Sequence, residues 1–96
     1  MTDRKVVLNE RRKSFRWPLN NKPLSWKLAA GRAVREGCVT ERSINGLVIT
    51  TARRHAPRIG ARIEPVDDDQ NWSTAVVRRS RQAAEGQRQF VAEIIR

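Results

Sequence analysis

The chain has 96 residues, with 20 Lys and Arg against 10 Asp and Glu, a formal charge of +10 and a pI near 11.5. Leu, Ile, Val and Phe number 22, about 23%, just above the roughly 20% below which highly charged chains stay unfolded, so one small basic domain with a thin core is expected. No apolar run exceeds three residues, which excludes a membrane-spanning helix or a standard export signal, and the lone Cys38 and lone His55 exclude an internal disulfide and a Cys/His zinc site.

Residues 1–23 predict a flexible N-terminal arm. Val6, Val7 and Leu8 lead into the basic run Asn9 to Arg16, and Pro18, Asn20, Asn21 and Pro23 follow. Asn9 suits a helix cap, but Pro18 disfavours helix at Trp17 and leaves too few residues for a stable one. From Leu24 the period becomes two. Leu24, Trp26, Leu28 and Ala30 alternate with Ser25, Lys27 and Ala29, the pattern of a half-buried strand.

Gly31 then punctuates, and Arg32 to Thr40 predicts a second strand with Val34 and Cys38 on one face and Gly37 as a bulge or close backbone approach. Leu47 to Thr51 predicts a third, Ala61 to Val66 a fourth after the Pro57 to Gly60 break, Trp72 to Arg79 a fifth after an acidic turn, and Gln89 to Ile95 a sixth. Asn45-Gly46 predicts a type I′ hairpin turn, and Ala83 to Glu85 a brief helical turn. Short strands without the helices that a parallel sheet needs predict an all-β domain over residues 24–96: a small six-stranded antiparallel β-barrel, or else a sandwich. Trp26 and Trp72 are expected in the core, Cys38 as a small buried residue of its strand, and His55 at the surface. Trp17 suits stacking on a base as well as covering the barrel mouth.

The charge predicts an anionic partner, and two stretches are suited to grip one. The first is Arg11-Arg12-Lys13-Ser14-Phe15-Arg16 and the second Glu41-Arg42-Ser43-Ile44-Asn45-Gly46-Leu47. A guanidinium holds a phosphate, or the O6 and N7 edge of guanine, by two parallel hydrogen bonds and can stack on a base. Glu41 can accept from guanine's ring N–H and amino group, Ser43 can donate to phosphate or base, and Gly46 removes a Cβ where ligand or backbone must approach.

Arg-x-x-x-Arg followed by Asp/Asn-x-Ser-x-x-Gly resembles the signature of the PilZ domain family, six-stranded bacterial barrels that bind the second messenger cyclic di-GMP. Arg12 and Arg16 match the first motif, and Ser43 and Gly46 the second; Glu41 stands where the family carries Asp or Asn, one methylene longer. The resemblance covers roughly residues 10 to 95, and Arg11 stands where family members carry a further ligand-holding arginine. It implies a ligand site of Arg11, Arg12, Arg16, Glu41, Ser43 and Gly46, with cyclic di-GMP as ligand and no other cofactor, between arm and barrel. A cytoplasmic signalling receptor follows, with a downstream protein effector as its partner.

Two other readings compete: a PilZ-like protein-interaction module that does not bind the nucleotide, and a small basic barrel that binds nucleic acid. With no Tyr, two Phe and three Trp there is little aromatic surface for base stacking, which weighs against nucleic acid. Solvated basic surface and ordinary turn residues are the plain readings of the same motifs. Arg78, Arg79 and Arg81 predict a basic face, and Asp67 to Asp69 an exposed turn without calcium-loop spacing. No nucleophile has a base at a suggestive spacing and no phosphate-cradling glycine loop is present, so no catalytic or metal-binding residues, and no enzyme, are expected.

Overall fold

The computed structural model describes the backbone of residues 17–67 and 70–96, and side chains from Asn21 onward within those ranges. Among the described residues six strands run β1 (Trp17–Leu28), β2 (Arg35–Arg42), β3 (Gly46–Ala52), β4 (Arg62–Pro65), β5 (Ala75–Gln82) and β6 (Gln87–Ile94), with a 3₁₀ turn at Arg53–His55. They close into a barrel in the order β1-β2-β3-β6-β5-β4, every neighbouring pair antiparallel. Closure pairs each strand on both sides over part of its length and so leaves little sheet edge exposed.

The two-residue period sets what fills the barrel. Leu24 and Trp26 of β1, Val39 of β2, Leu47 and Ile49 of β3, Ile63 of β4, Ala75 and Val77 of β5, and Phe90, Ala92 and Ile94 of β6 form one buried cluster. Trp26 and Phe90 meet edge to face, ring centroids 5.6 Å apart at 67°, and the Arg35 guanidinium lies 5.5 Å from the centre of the Trp26 ring. Gly37 is required by packing, since a Cβ there would stand 2.7 Å from the Thr50 carbonyl on the neighbouring strand. That is the close backbone approach expected of it.

Several elements differ from expectation. β1 begins at Trp17, so residues 17–23 belong to the barrel rather than to an arm that ends at Pro23. Two prolines fit because β4 covers only Trp26 to Leu28 of this strand, so its first part behaves as an edge, and the register with β2 shifts between Pro18 and Lys22, where Asn21 adopts φ 48°. Residues 1–16, which hold the rest of the arm, lie outside the described residues.

Trp72 is core as expected but precedes its strand. It sits in the β4–β5 loop, 6% exposed, with its indole N–H donating to Gln70 Oε1 at 3.2 Å. β2 starts at Arg35, which leaves Val34 54% exposed in the preceding loop. Cys38 is half-buried and pairs with Thr50, while Val39, on the opposite face, is buried in the core. His55 is half-buried, and its carbonyl accepts from Arg35 Nη1 at 2.9 Å.

Two turns also differ from expectation. Among the described residues only Asn21, Gly60 and Gly86 have positive φ, so Asn45-Gly46 is not a type I′ turn, which needs positive φ at both central residues. Gly46 instead opens β3, and Ser43 to Asn45 make the connection. Ala83 to Gly86 form a hairpin turn rather than a helical one, closed by Ala83 N–H to the Gln87 carbonyl at 3.1 Å, with Gly86 at φ 76°. Asp67 is exposed at a bend, and Asp68 and Asp69 lie outside the described residues.

Candidate functional site

The second sequence motif forms the connection between β2 and β3. Glu41 and Arg42 end β2, Gly46 begins β3, and the Ser43 N–H donates to the Gly46 carbonyl at 2.9 Å. The Ile94 N–H donates to the Asn45 carbonyl at 2.7 Å, which ties the turn to β6. Ser43 is buried at 6% exposure, and a Cβ on Gly46 would stand 3.2 Å from its Oγ. Glycine therefore leaves space for the serine hydroxyl. Ser43, Gly46 and Glu41 line one narrow crevice with Val48 and Val91.

Between these motif residues lies Arg42. Its Nη2 donates to Asn71 Oδ1 at 2.6 Å and its Nη1 to the Gly46 carbonyl at 3.5 Å. Burial pushes its pKa down, and repulsion from Arg96 adds to that effect. Arg96 in turn donates from Nη2 to the Ile44 carbonyl at 2.9 Å, so two arginines brace the turn from behind.

In front of the turn, a cleft of about 360 Å³ opens on the outer wall. Its centre is a single row of paired residues across four strands: Glu41 opposite Val48, Val48 opposite Val91, Val91 opposite Arg79. The next row places Thr50 opposite Gln89 and Gln89 opposite Arg81. Val48 and Val91 supply an apolar floor, Glu41 one wall and Arg79 and Arg81 the other, with Ile59 of the β3–β4 loop at the rim.

Two β-bulges build this cleft. On β2, Gly37 and Val39 pair with Thr51 and Ile49 of the core-facing set, and strict alternation would turn Glu41 inward as well. An extra residue at Thr40 resets the register, so that Glu41 pairs with Val48 on the outer wall. On β5, Ala75 and Val77 face the core, and alternation would send Arg79 and Arg81 after them. The extra residue at Arg78 turns both outward and gives the inward place to Ser80, opposite Phe90.

Of the six residues the sequence singled out, Glu41, Ser43 and Gly46 are thus brought together. Arg11, Arg12 and Arg16 lie outside the described residues. The chain that follows Arg16 is held at this turn, since Trp17 pairs with Arg42 and Pro18 with Glu41. Arg79 and Arg81 were expected on a basic face, solvated or turned to nucleic acid or an acidic partner, and not in this site. The signal for them was the doublet Val76-Val77 followed by Arg78-Arg79, where alternation breaks. Among the described residues no three His, Cys, Asp or Glu side chains come together in a way that could hold a metal ion, and no helix is long and apolar enough to cross a membrane. No family model matches the chain, and no curated protein matches it.

Proposed function

We propose that this chain is a PilZ-like receptor for cyclic di-GMP, a non-enzymatic sensor that holds the nucleotide between the arginine-bearing N-terminal segment and the outer-wall cleft. The observation that carries this reading is the pairing of Trp17 with Arg42 and Pro18 with Glu41, which joins the end of Arg12-x-x-x-Arg16 to the Glu41-x-Ser43-x-x-Gly46 turn. Two motifs about 25 residues apart in sequence thereby serve one ligand. The Glu41 carboxylate, a hydrogen-bond acceptor, suits guanine's ring N–H and amino group. The guanidiniums suit its phosphates and its O6 and N7 edge.

The energy scale is adequate. Each good bidentate arginine contact to guanine contributes about 1 to 3 kcal/mol, and a micromolar complex needs about 8 kcal/mol. Bound nucleotide changes the surface beside the cleft that a protein effector in the cytoplasm reads, which is how binding becomes a signal. Calorimetric titration with cyclic di-GMP, with GMP and a short single-stranded RNA as controls, tests the reading. Saturable binding of cyclic di-GMP alone, lost in Arg12→Ala or Arg16→Ala with the fold retained, is expected; binding unchanged in either variant overturns it.

One observation favours the second reading, an interaction module of the same fold that does not take the nucleotide. Ser43 is buried at 6% exposure, which leaves little of its side chain for a ligand to reach. A folded protein that gives no heat with cyclic di-GMP is the outcome that selects it.

A further inference from the structure

We propose that Arg79 and Arg81 of β5 form a phosphate-holding pair at the end of the cleft opposite Glu41, an inference that rests on the nucleotide-receptor reading of the same cleft. It starts from the matched bulges. Thr40 and Arg78 are each the extra residue immediately before one end of the row Glu41–Val48–Val91–Arg79. A bulge sacrifices ladder pairing and re-aims the side chains that follow it, and such features gather beside binding sites. Here two of them put opposite charges at opposite ends of one apolar floor, with three strand spacings, about 14 Å, between the outer Cα atoms.

The charges of β5 are then sorted by position. Arg78, the bulged residue, lies outside the cleft and is neutralised by Glu93, with Nε 2.7 Å from the carboxylate. Arg79 lines the cleft and makes no ion pair among the described residues. Arg81 is oriented without being neutralised, because its Nε and Nη2 both donate to the amide oxygen Gln89 Oε1 at 2.9 and 2.6 Å. That uses two of a guanidinium's five N–H donors and leaves the rest for a ligand.

Two like charges two residues apart on one face of a strand repel, and a phosphate seated between them removes that repulsion while accepting from both. The acceptor-only carboxylate of Glu41 repels an anion and suits the base's N–H groups instead. The cleft is therefore polarised. Base goes to the β2 end, over Val48 and Val91, and phosphate to the β5 end.

The experiment uses the full 96-residue chain. Cyclic di-GMP is titrated calorimetrically into the parent, Arg79→Gln, Arg81→Gln and Arg78→Gln, each confirmed folded by thermal melting, and the arginine Nε–Hε resonances of the parent are followed with cyclic di-GMP and, separately, with sodium pyrophosphate. Loss of about tenfold in affinity in Arg79→Gln and Arg81→Gln, with Arg78→Gln within about twofold of the parent, is expected. If the parent binds and both cleft variants bind within about twofold of it, the phosphate pair is wrong and the receptor reading stands. If the parent does not bind cyclic di-GMP, the receptor reading fails and pyrophosphate decides the pair alone. Saturable shifts of the Arg79 and Arg81 resonances without movement of Arg78 then support it, and no shift overturns it.

Discussion

Ser43 and Gly46 fix each other's position across the β2–β3 turn: the Ser43 N–H donates to the Gly46 carbonyl at 2.9 Å, and a Cβ on Gly46 would press on Ser43 Oγ at 3.2 Å. A side-chain hydroxyl can yield by a few tenths of an ångström where a backbone atom cannot. Gly46→Ala is therefore expected to cost little stability, on the order of 1 kcal/mol, while displacing the hydroxyl and weakening cyclic di-GMP binding. Thermal melting and calorimetry on the same preparation separate the two effects. Affinity equal to that of the parent would remove Ser43 from the site.

Gly37 makes the opposite case. Its missing Cβ would meet the Thr50 carbonyl at 2.7 Å and lie 3.2 Å from both Ile49 Cγ2 and Thr51 Cβ, atoms fixed by the β2–β3 ladder. Gly37→Ala is expected to destabilise the barrel by about 1 to 3 kcal/mol in urea unfolding, as overpacking does. Gly31→Ala serves as the control, because its nearest neighbour would be at an ordinary 3.5 Å. Equal stability of the two variants would contradict the packing argument.

The core is small enough for single aromatics to dominate it. Trp26 and Phe90 are fully buried and in contact, yet the Trp26 indole N–H has no hydrogen-bond partner among the described residues. Trp26→Ala is expected to cost about 3 to 5 kcal/mol. Trp26→Phe should cost markedly less, since it also removes a buried unpaired donor worth about 1 to 3 kcal/mol. Chemical denaturation ranks the two variants, and a cost for Trp26→Phe equal to or above that for Trp26→Ala would contradict this account.

Salt is expected to move stability and affinity in opposite directions. With a net charge of +10 the folded chain repels itself, and screening relieves this, so the melting temperature should rise between about 0.02 and 0.5 M NaCl as the Debye length shrinks from about 20 Å to a few ångströms. The same screening weakens attraction to a dianionic ligand, so affinity should fall. A melting temperature that falls over this range would mean that local ion pairs such as Lys27–Glu64 and Arg78–Glu93 outweigh the overall repulsion.

On the nucleotide-receptor reading, Glu41 is the acceptor for the base. Shortening it in Glu41→Asp restores the acceptor length of the PilZ motif and is expected to strengthen cyclic di-GMP binding, whereas Glu41→Gln replaces one acceptor by a donor and should weaken it by about tenfold. Titration of both variants provides the test. No change in either would take the side chain at position 41 out of base recognition.

Strand content was legible in the sequence because a period of two is a local property: Leu24 and Trp26, Leu47 and Ile49, and Phe90 and Ile94 announce a core face from the chain alone. The Glu41-x-Ser43-x-x-Gly46 turn was legible for a similar reason, since its residues are near neighbours in the chain. Local rules failed where a partner strand overrides them. Pro18, Asn21 and Pro23 read as part of an arm, yet they lie in a strand that β4 does not reach at that level, and Asn45-Gly46 read as a two-residue turn that the β3–β6 pairing and the Ile94 hydrogen bond replace with a longer one.

Charge, composition and the two-residue alternation determined, without coordinates, a small basic all-β domain and the turn that carries Glu41, Ser43 and Gly46. Tertiary structure alone decided that β3 pairs with β6 before β5, that bulges at Thr40 and Arg78 fall at the two ends of one row, and hence that Glu41 faces the same floor as Arg79. Register between strands distant in sequence depends on which pairing buries the most apolar surface across the whole barrel. A one-residue slip reverses every side chain that follows it, and no local window of sequence contains that choice.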